Sequence, residues 1–332
     1  MQGKLRAPLT LPPLSYPFQS EISPYANEID AQAIDWAGQM NILDSAMTAE
    51  YAGLRVGRLA GRTSPRSGPV GLQLLADWQL WLFAFDDAFC DESSTGEDPE
   101  LLARTVVDYL RVIEDPGQVP DPADPFMGAL ADLRDRILAR SAPMQWMRFV
   151  HSVTGYFLAQ CWEAANRSRQ TAPTLVEYVH MRRHSGAVPT CMALIDVAGG
   201  FVLPQEDFAN PHVMSLAQQA TNIACWANDI LSYPKEVARS RSVHSLPPIL
   251  STQYGIDMPE ALHRAGQMHD HAVRQYLEQE AAARAQASPQ LHRYLDDLRF
   301  WMTGNLDWSL ETRRYNAVDF NAVDALDEVR PA

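Results

Sequence analysis

Hydrophobic side chains recur every three or four residues through most of the chain after residue 26, which is the period of an amphipathic helix. Proline, glycine, aspartate and serine gather between these stretches, as in EDPGQVPDPADP at 114–125. The predicted helices span about 27–43, 47–60, 70–91, 98–114, 124–140, 143–169, 174–199, 212–240, 258–286 and 289–315. With no run of alternating β-branched residues, the pattern predicts an all-α fold.

One stretch, LQLLADWQLWLFAF at 72–85, is apolar on nearly every side and is typical of a helix surrounded by other helices. The first 25 residues are instead rich in proline and lack helical periodicity. No linker divides the rest of the chain. We therefore expect a proline-rich arm at 1–26, one helical domain at 27–316 and a tail at 317–332.

The composition limits the partners. The 332 residues carry a formal net charge of −14, which disfavours nucleic acids and anionic membrane surfaces. The N-terminus lacks a basic-then-apolar signal and no apolar run reaches about 18 residues, so we expect a cytoplasmic protein without a membrane anchor. The widely spaced cysteines are typical of reduced thiols and not of a disulfide framework or zinc site. They are Cys90, Cys161, Cys191 and Cys225.

Acidic side chains gather where the apolar stretch ends, in FAFDDAFCDESS at 83–94. Asp86, Asp87 and Asp91 are followed by Glu92. Carboxylates facing inward at the end of an apolar helix are costly unless they pair or bind a metal, and they oppose the helix dipole. The alternative is a frayed, solvated helix end. The acid spacing and central glycine of an EF-hand are absent.

A second polar stretch, NDILSYPKE at 228–236, follows apolar and small residues. Asn228, Ser232 and Glu236 recur at steps of four and would share one face of a helix. An amide oxygen, a hydroxyl and a carboxylate on one face suit a hard cation such as Mg²⁺. A solvated polar face is the alternative, and Pro234 is expected to kink or loosen the helix there.

Taken together, the two polar clusters resemble the paired metal motifs of bacterial class I terpene synthases, and the resemblance covers the chain from Asn27 to Tyr315. The matching positions are Asp86, Asp87 and Asp91 in the first cluster and Asn228, Asp229, Ser232, Lys235 and Glu236 in the second. The family implies a single-domain helical bundle with a central active-site cavity.

Two further features agree with this family. Arg182 lies 46 residues before Asn228, where relatives carry an arginine that senses diphosphate, and Gly186 follows at the expected helix break. Arg314 and Tyr315 match a C-terminal pair that closes on the diphosphate. The departures are small, such as Ser185 where some relatives carry aspartate.

The resemblance implies three Mg²⁺ ions that bridge an isoprenyl diphosphate to the protein. Asp86, with Asp87 or Asp91 in support, would hold two ions, and the second cluster would hold the third. Diphosphate would be bound by Arg182, Asn228, Lys235, Arg314 and Tyr315. These cationic segments are expected to gain partners only when diphosphate is present, together with closure of 240–245 and the C-terminal tail.

The same resemblance predicts how the carbocation is held. A backbone carbonyl exposed at the Gly186 break would face the allyl cation, and Phe83 and Trp308 are predicted to line the cavity. Farnesyl diphosphate is the expected substrate, with geranylgeranyl diphosphate as the alternative and a C10 substrate less favoured. The product skeleton is not predicted, and a homodimer is possible.

Three other interpretations remain. Isoprenyl chain elongation needs a second aspartate-rich motif, for which the chain offers only Asp296 and Asp297. A di-iron helical bundle needs two Glu-x-x-His pairs, and Glu177-x-x-His180 and Glu260-x-x-His263 have that spacing. A non-catalytic helical scaffold would leave both metal motifs without a purpose.

Overall fold

The apolar stretch at 72–85 lies at the centre of the molecule. In the computed structural model, which describes residues 10–90, 93–238 and 244–316, it belongs to the helix Pro69–Phe85, in which 13 of 17 residues are buried. Trp78 stacks on Trp81 and Trp81 on Phe85, with ring centroids 5.4 and 4.8 Å apart. A helix covered on every side has to be apolar on every side, which explains the uninterrupted hydrophobic sequence.

Helices account for the regular structure of the described ranges, and no strand occurs in them. In chain order they are α1 (Ala26–Gln39), α2 (Ser45–Ala52), α3 (Val56–Thr63), α4 (Pro69–Phe85), a π-helical turn (Asp86–Cys90), α5 (Ser94–Glu97), α6 (Pro99–Glu114), α7 (Pro125–Leu138), α8 (Pro143–Arg169), α9 (Leu175–Ser185), α10 (Val188–Met192), α11 (Ile195–Gly199), α12 (Gln205–Phe208), α13 (Pro211–Ala238), α14 (Leu246–Tyr254), α15 (Met258–Arg284), α16 (Pro289–Glu311) and α17 (Arg313–Asn316). The predicted all-α fold is confirmed.

Helix boundaries differ from the prediction in several places, of which three bear on the site. The predicted helix at 47–60 is divided into α2 and α3 near Arg55, whose φ of 57° is left-handed. The predicted helix at 174–199 consists of α9, α10 and α11, and Ala187 has a left-handed φ of 56° at the first break. Helix α14 falls where no helix is predicted. Its prolines occupy the first turn, where a missing backbone N–H costs little.

Helix α13 is continuous through Pro234, so the proline does not end the helix within the second polar cluster. Proline removes one backbone hydrogen bond, but the adjoining turns are held by burial. Ile230 and Tyr233 are buried, and α13 packs against α9, α14, α15 and α16. Residues four positions apart on this helix therefore still share one face, as the sequence predicts for Asn228, Ser232 and Glu236.

Residues 10–25 form no helix and lie against the helical body. The Tyr16 hydroxyl is 2.9 Å from Nε2 of His269 on α15, and the Arg299 guanidinium of α16 lies 4.8 Å from the Phe18 ring centroid. The Ser23 N–H donates to the Gly61 carbonyl at 2.9 Å. Within the described ranges, none of the helices combines the length and apolar character that a membrane span requires.

Three helices end at the same end of a central cavity. Asp87 follows α4 and binds Arg314, which follows α16, while Tyr315 contacts Asn228 near the end of α13. Helix α3 packs against both α4 and α16, and α10 packs against α13. The fold thus brings the C-terminal ends of α4, α13 and α16 together although they are far apart in sequence.

Candidate active site

The cavity enclosed by these helices has a volume of about 180 Å³ and two distinct parts. We call its charged end, where the three helices end, the mouth. The mouth is lined by Asp86, Arg182, Asn228, Ser232, Lys235, Glu236, Arg314 and Tyr315. Deeper wall positions are largely apolar and include Leu59, Leu82, Phe83, Val188, Ala224 and Trp308.

The second polar cluster lines the mouth as one face of α13. Asn228, Ser232 and Glu236 all contribute to the cavity wall, as expected for steps of four on a continuous helix. The Ser232 hydroxyl donates to Oε1 of Glu236 at 2.5 Å. Two of the three oxygen donors are therefore in direct contact, and the third lies one turn earlier on the same face.

The first acidic cluster adopts a π-helical turn at Asp86–Cys90. Such a turn changes the direction of successive side chains relative to an α-helix. Asp86 lines the mouth, whereas Asp87 turns toward α17 and the α2 residue Tyr51, whose hydroxyl donates to Oδ2 of Asp87 at 2.7 Å. The role of Asp87 as a metal ligand stays a prediction. Asp91 and Glu92 lie outside the described residues.

Arg314 holds Asp87 through two hydrogen bonds. Its Nη1 and Nη2 atoms donate to Oδ2 and Oδ1 of Asp87 at 3.0 and 2.8 Å. Burial alone would raise the pKa of the Asp87 carboxyl, but the Arg314 charge and hydrogen bonds hold this pKa below its usual value. The guanidinium also lies 5.1 Å from the Phe83 ring centroid. Arg314 therefore joins α17 to the end of α4.

Arg182 and Tyr315 meet at Asn228. Arg182 donates from Nη2 to Oδ1 of Asn228 at 3.0 Å and from Nε to Oδ1 of Asp229 at 2.8 Å. The Asn228 amide donates to the Tyr315 hydroxyl at 2.7 Å. The expectation that Arg182 and the Arg314–Tyr315 pair lack partners before diphosphate binds is wrong, because acids and amides of the mouth already bind them.

The helix break after α9 lies against α13. A Cβ atom on Gly186 would come within 2.8 Å of the Cys225 sulfur and 3.1 Å of the Arg182 carbonyl, so a side chain there would force a shift. Gly186 and Ala187 both line the cavity. The predicted role of the Gly186 carbonyl toward a cation stays a prediction.

Aromatic rings connect the mouth to the interior. The centroids of Phe83 and Trp308 are 5.6 Å apart, and those of Trp308 and Tyr315 are 5.8 Å apart. The Trp308 indole N–H donates to the Leu54 carbonyl at 2.6 Å, which fixes the ring against the connection between α2 and α3. The structure places both predicted aromatic residues, Phe83 and Trp308, on the cavity wall.

Several residues at the site carry no signal in the sequence. Gln160 of α8 donates to Oδ1 of Asp86 at 3.4 Å and to the Ser185 carbonyl at 3.2 Å, linking the first cluster to the helix break. Tyr51 supports Asp87 from a short helix. Asp229 matches a motif position that carries no predicted role, yet its buried carboxylate accepts hydrogen bonds from the Arg182 guanidinium and the Leu246 N–H. These contacts depend on tertiary packing.

The donor set at the mouth fits a divalent cation. Amide, hydroxyl and carboxylate oxygens on α13 face the same cavity as the carboxylate of Asp86. Oxygen ligands of this kind suit Mg²⁺, which also retains several waters. Asn228, Ser232, Glu236 and Asp86 are the residues that would hold it.

The structure contradicts the di-iron interpretation. Glu177 and His180 are exposed on α9, where Glu177 caps its own helix through Thr174. Glu260 pairs with Arg264 at 2.7 Å on α15, and His263 is exposed. Ligands of a di-iron bundle face the bundle interior. Among the residues with described positions, no group of three or more His, Cys, Asp or Glu side chains is arranged to hold a metal on its own.

The acidic pair considered for chain elongation faces away from the mouth. Asp296 binds Arg66 at 2.9 Å and Arg284 at 2.8 Å in a partly exposed ion-pair network. Asp297 is buried in α16 and does not line the cavity. This pair therefore provides no second metal site.

Comparison with known proteins gives consistent matches. The model of a family described as terpene synthase family 2, C-terminal metal binding, matches residues 77–275. The 4-epi-cubebol synthase of Streptosporangium roseum, named as cyclising (2E,6E)-farnesyl diphosphate, is 34% identical over 313 residues, covering 94% of each chain. The (+)-T-muurolol synthase of Roseiflexus castenholzii, named as acting on the same diphosphate, is 36% identical over 91% of this chain and 93% of its own.

A solved structure extends the comparison to the fold. The SVS_A2 protein from ancestral sequence reconstruction matches with a TM-score of 0.85 and 27% identity, covering 91% of this chain and 90% of that one. The two relatives and this structure each cover at least 91% of this chain.

Proposed function

Because this chain belongs to the bacterial class I terpene synthases, we propose that it ionises farnesyl diphosphate and cyclises the resulting carbocation to a sesquiterpene. One observation carries the proposal. A single cavity has an oxygen-rich and cationic mouth and a largely apolar interior. The mouth suits a diphosphate with its metal ions, and the interior suits an isoprenyl chain.

The family uses a divalent metal, and we propose Mg²⁺, with three ions for each active site. When bound, the ions neutralise the diphosphate charge that develops as the C–O bond breaks. Asp86, at the end of α4, would hold two ions, and Asn228, Ser232 and Glu236 on α13 would hold the third. Asp87 and Asp91 complete the proposed ligand set.

The cationic residues exchange partners when diphosphate enters. Arg182 and Arg314 present forked guanidinium donors that match phosphate oxygens as well as they match carboxylates. In the structure these donors are bound to Asp229 and Asp87. We propose that diphosphate competes for the same donors, with Lys235 adding a point charge and Tyr315 a hydroxyl. Closure of 240–245 and the tail stays a prediction, since 239–243 and 317–332 lie outside the described residues.

The interior stabilises the carbocation, and its walls supply no nucleophile that would react with the cation before a ring has closed. Phe83 and Trp308 present π faces that attract positive charge. The Gly186 carbonyl is proposed to add a partial negative charge near the ionising carbon. Apolar walls exclude bulk water, so the chain has time to fold and close a ring.

The C15 substrate is proposed from the two relatives, which are both named as cyclising farnesyl diphosphate. Geranylgeranyl diphosphate is the alternative. The test incubates purified protein and Mg²⁺ with the C10, C15 and C20 diphosphates separately. Diphosphate release and extractable products are measured, the latter by gas chromatography with mass spectrometry. We expect the highest kcat/KM with the C15 substrate and cyclic products that disappear when the metal is chelated.

Preference for the C20 substrate would contradict the sesquiterpene assignment and leave the enzyme class intact. Absence of turnover with all three would contradict the proposed function. The cytoplasmic location and the homodimer remain predictions, and gel filtration with light scattering tests the second.

A further inference from the structure

Three neutral polar side chains from α4 and α16 line the interior of the cavity, and we call them the floor. They are Gln79 of α4 and Trp301 and Asn305 of α16, exposed by only 2, 3 and 8%. Both amide atoms of Gln79, Oδ1 of Asn305 and Nε1 of Trp301 have no hydrogen-bond partner among the residues that the structure describes. An unsatisfied buried polar group costs about 1–3 kcal/mol, so a cluster of them calls for a ligand.

Helix geometry places the floor below the ring pair. Gln79 precedes Phe83 by four residues on α4, and Asn305 precedes Trp308 by three on α16. Both helices run toward the mouth, and the Phe83 and Trp308 rings are 5.6 Å apart. Gln79 and Asn305 therefore each lie about one turn, or 5 Å, deeper than this contact. Trp301 is a further turn along the same face as Asn305.

A buried glutamine elsewhere in the chain shows what a purely structural amide looks like here. Gln145 is also 2% exposed, but its Oε1 accepts from the Ala142 N–H at 2.8 Å and its Nε2 donates to the Phe201 carbonyl at 3.0 Å. That amide is satisfied by the backbone and does not line the cavity. The unsatisfied atoms of Gln79 and Asn305 open instead on space that a small molecule can enter.

The floor has the hydrogen-bonding capacity to hold water. It offers two donors, the Gln79 amide and the Trp301 N–H, and two acceptors, the Gln79 and Asn305 carbonyl oxygens. A buried water typically needs two to four such partners in a polar pocket, and it then makes about three hydrogen bonds. No charged side chain belongs to this group, so a metal ion or a diphosphate would be a poor fit.

We propose that Gln79, Asn305 and Trp301 bind a water molecule that ends the reaction, so that the main product is a cyclic alcohol. This inference rests on the proposed function. The water oxygen donates a lone pair to the final carbocation and forms a C–O bond. The oxonium then loses one O–H proton to a second water molecule, which carries it to diphosphate at the mouth, the co-product and the most basic group in the cavity. The net reaction converts farnesyl diphosphate and water into a cyclic alcohol and diphosphate.

The depth of the floor explains why this water would not capture the first cation. Gln79 and Asp86 are seven residues apart on one helix, or about 10 Å along its axis. The carbon that loses diphosphate is held at the mouth, beyond the reach of a water at the floor. Cyclisation moves the positive charge along the chain toward the interior, where the water lies. Gln79, Asn305 and Trp301 act through this water and are positioning residues.

The experiment incubates the enzyme with Mg²⁺ and farnesyl diphosphate in H₂¹⁸O and analyses the products by mass spectrometry. We expect a cyclic alcohol that carries one ¹⁸O atom. Gln79→Leu and Asn305→Leu should each lower the ratio of alcohol to hydrocarbon about tenfold, since each removes hydrogen bonds that hold the water. This ratio is measured within one reaction and does not depend on how much enzyme is active. Gln79→Met, of similar length, serves if Gln79→Leu fails to fold.

Asn222→Leu is the matched control. Asn222 lies on α13, its Oδ1 is also buried without a partner among the described residues, and it does not line the cavity. This variant should keep the wild-type ratio. Hydrocarbon products alone from the wild type, a linear ¹⁸O alcohol, or an unchanged ratio in both floor variants would overturn the inference and leave the cyclase assignment intact. Absence of any product would instead overturn the proposed function.

Discussion

The mouth and the floor of the cavity differ in how their polar groups are satisfied. At the mouth, charged groups bind one another, with Arg314 on Asp87 and Arg182 on Asp229. At the floor, the neutral groups of Gln79 and Asn305 have unsatisfied atoms among the described residues. A mouth that is neutralised internally can exist before its substrate arrives, because paired charges avoid the cost of burial. A neutral floor can hold the water that ends the reaction without placing a fixed charge beside the carbocation.

This difference suggests that the mouth determines the rate of the reaction and the deeper part of the cavity determines its product. Binding and ionisation require charge, which lies within a few residues of three helix ends at the mouth. The choice of product depends on which atoms the folded cation meets, and those belong to α4 and α16 deeper in the cavity. Variants at the mouth should therefore change how fast the enzyme works. Variants at the floor should change what it makes.

The largest effect is expected for Asp86→Asn. This change preserves size and removes the charge of the one first-cluster carboxylate that is described as lining the cavity. We expect turnover of farnesyl diphosphate to fall about 100-fold or more, because a metal ligand at the mouth is lost. Diphosphate release measures this loss. Asp108→Asn on the exposed face of α6 is the control and should keep wild-type activity. An Asp86→Asn enzyme within threefold of wild type would remove Asp86 from the metal site.

Arg314→Lys should have an intermediate effect. Lysine keeps the charge but cannot form the two parallel hydrogen bonds that Arg314 makes with Asp87. We expect kcat/KM to fall about tenfold, since one charge-assisted hydrogen bond is worth about 1.5–3 kcal/mol. The neighbouring Arg313 is exposed, and Arg313→Lys should leave kcat/KM unchanged. Equal kinetics for the two variants would mean that the forked geometry of Arg314 is unimportant.

The mouth could be predicted from sequence far better than the floor. Asn228, Ser232 and Glu236 reveal themselves because a helix repeats its face every four residues, and α13 keeps that period through Pro234. The partner of Arg314 could not be predicted, because Asp87 is 227 residues away and the contact depends on tertiary packing. The role of Gln79 could not be predicted for a different reason. A single amide within an apolar helix looks the same whether it meets backbone or a cavity.

The smallest expected effect is a pH-dependent change in stability caused by a substitution at Asp297, which lies beneath the floor. Asp297 precedes Trp301 and Asn305 by one and two turns on the same face of α16, and its side chain is buried. Burial raises the pKa of the Asp297 carboxyl to about 7, although the charges of Arg293 and Arg66 act in the opposite direction. This carboxyl is therefore protonated in the folded protein at pH values where it is ionised in the unfolded chain.

The sign of the resulting stability change is fixed. Between its ordinary pKa of 3.8 and the folded value of about 7, the Asp297 carboxyl binds its proton more tightly in the folded state. Its contribution to stability is complete below the lower value and is lost as the pH rises through the upper one. Asp297→Asn cannot ionise, so its Tm relative to wild type should rise by a few degrees between pH 5 and pH 8, as measured by circular dichroism. The adjacent Asp296→Asn, which only disrupts a partly exposed network, should shift Tm by a similar amount at each pH. Parallel melting curves for Asp297→Asn and wild type across this range would show that the Asp297 carboxyl is already ionised in the folded protein at pH 5, which would contradict the raised pKa.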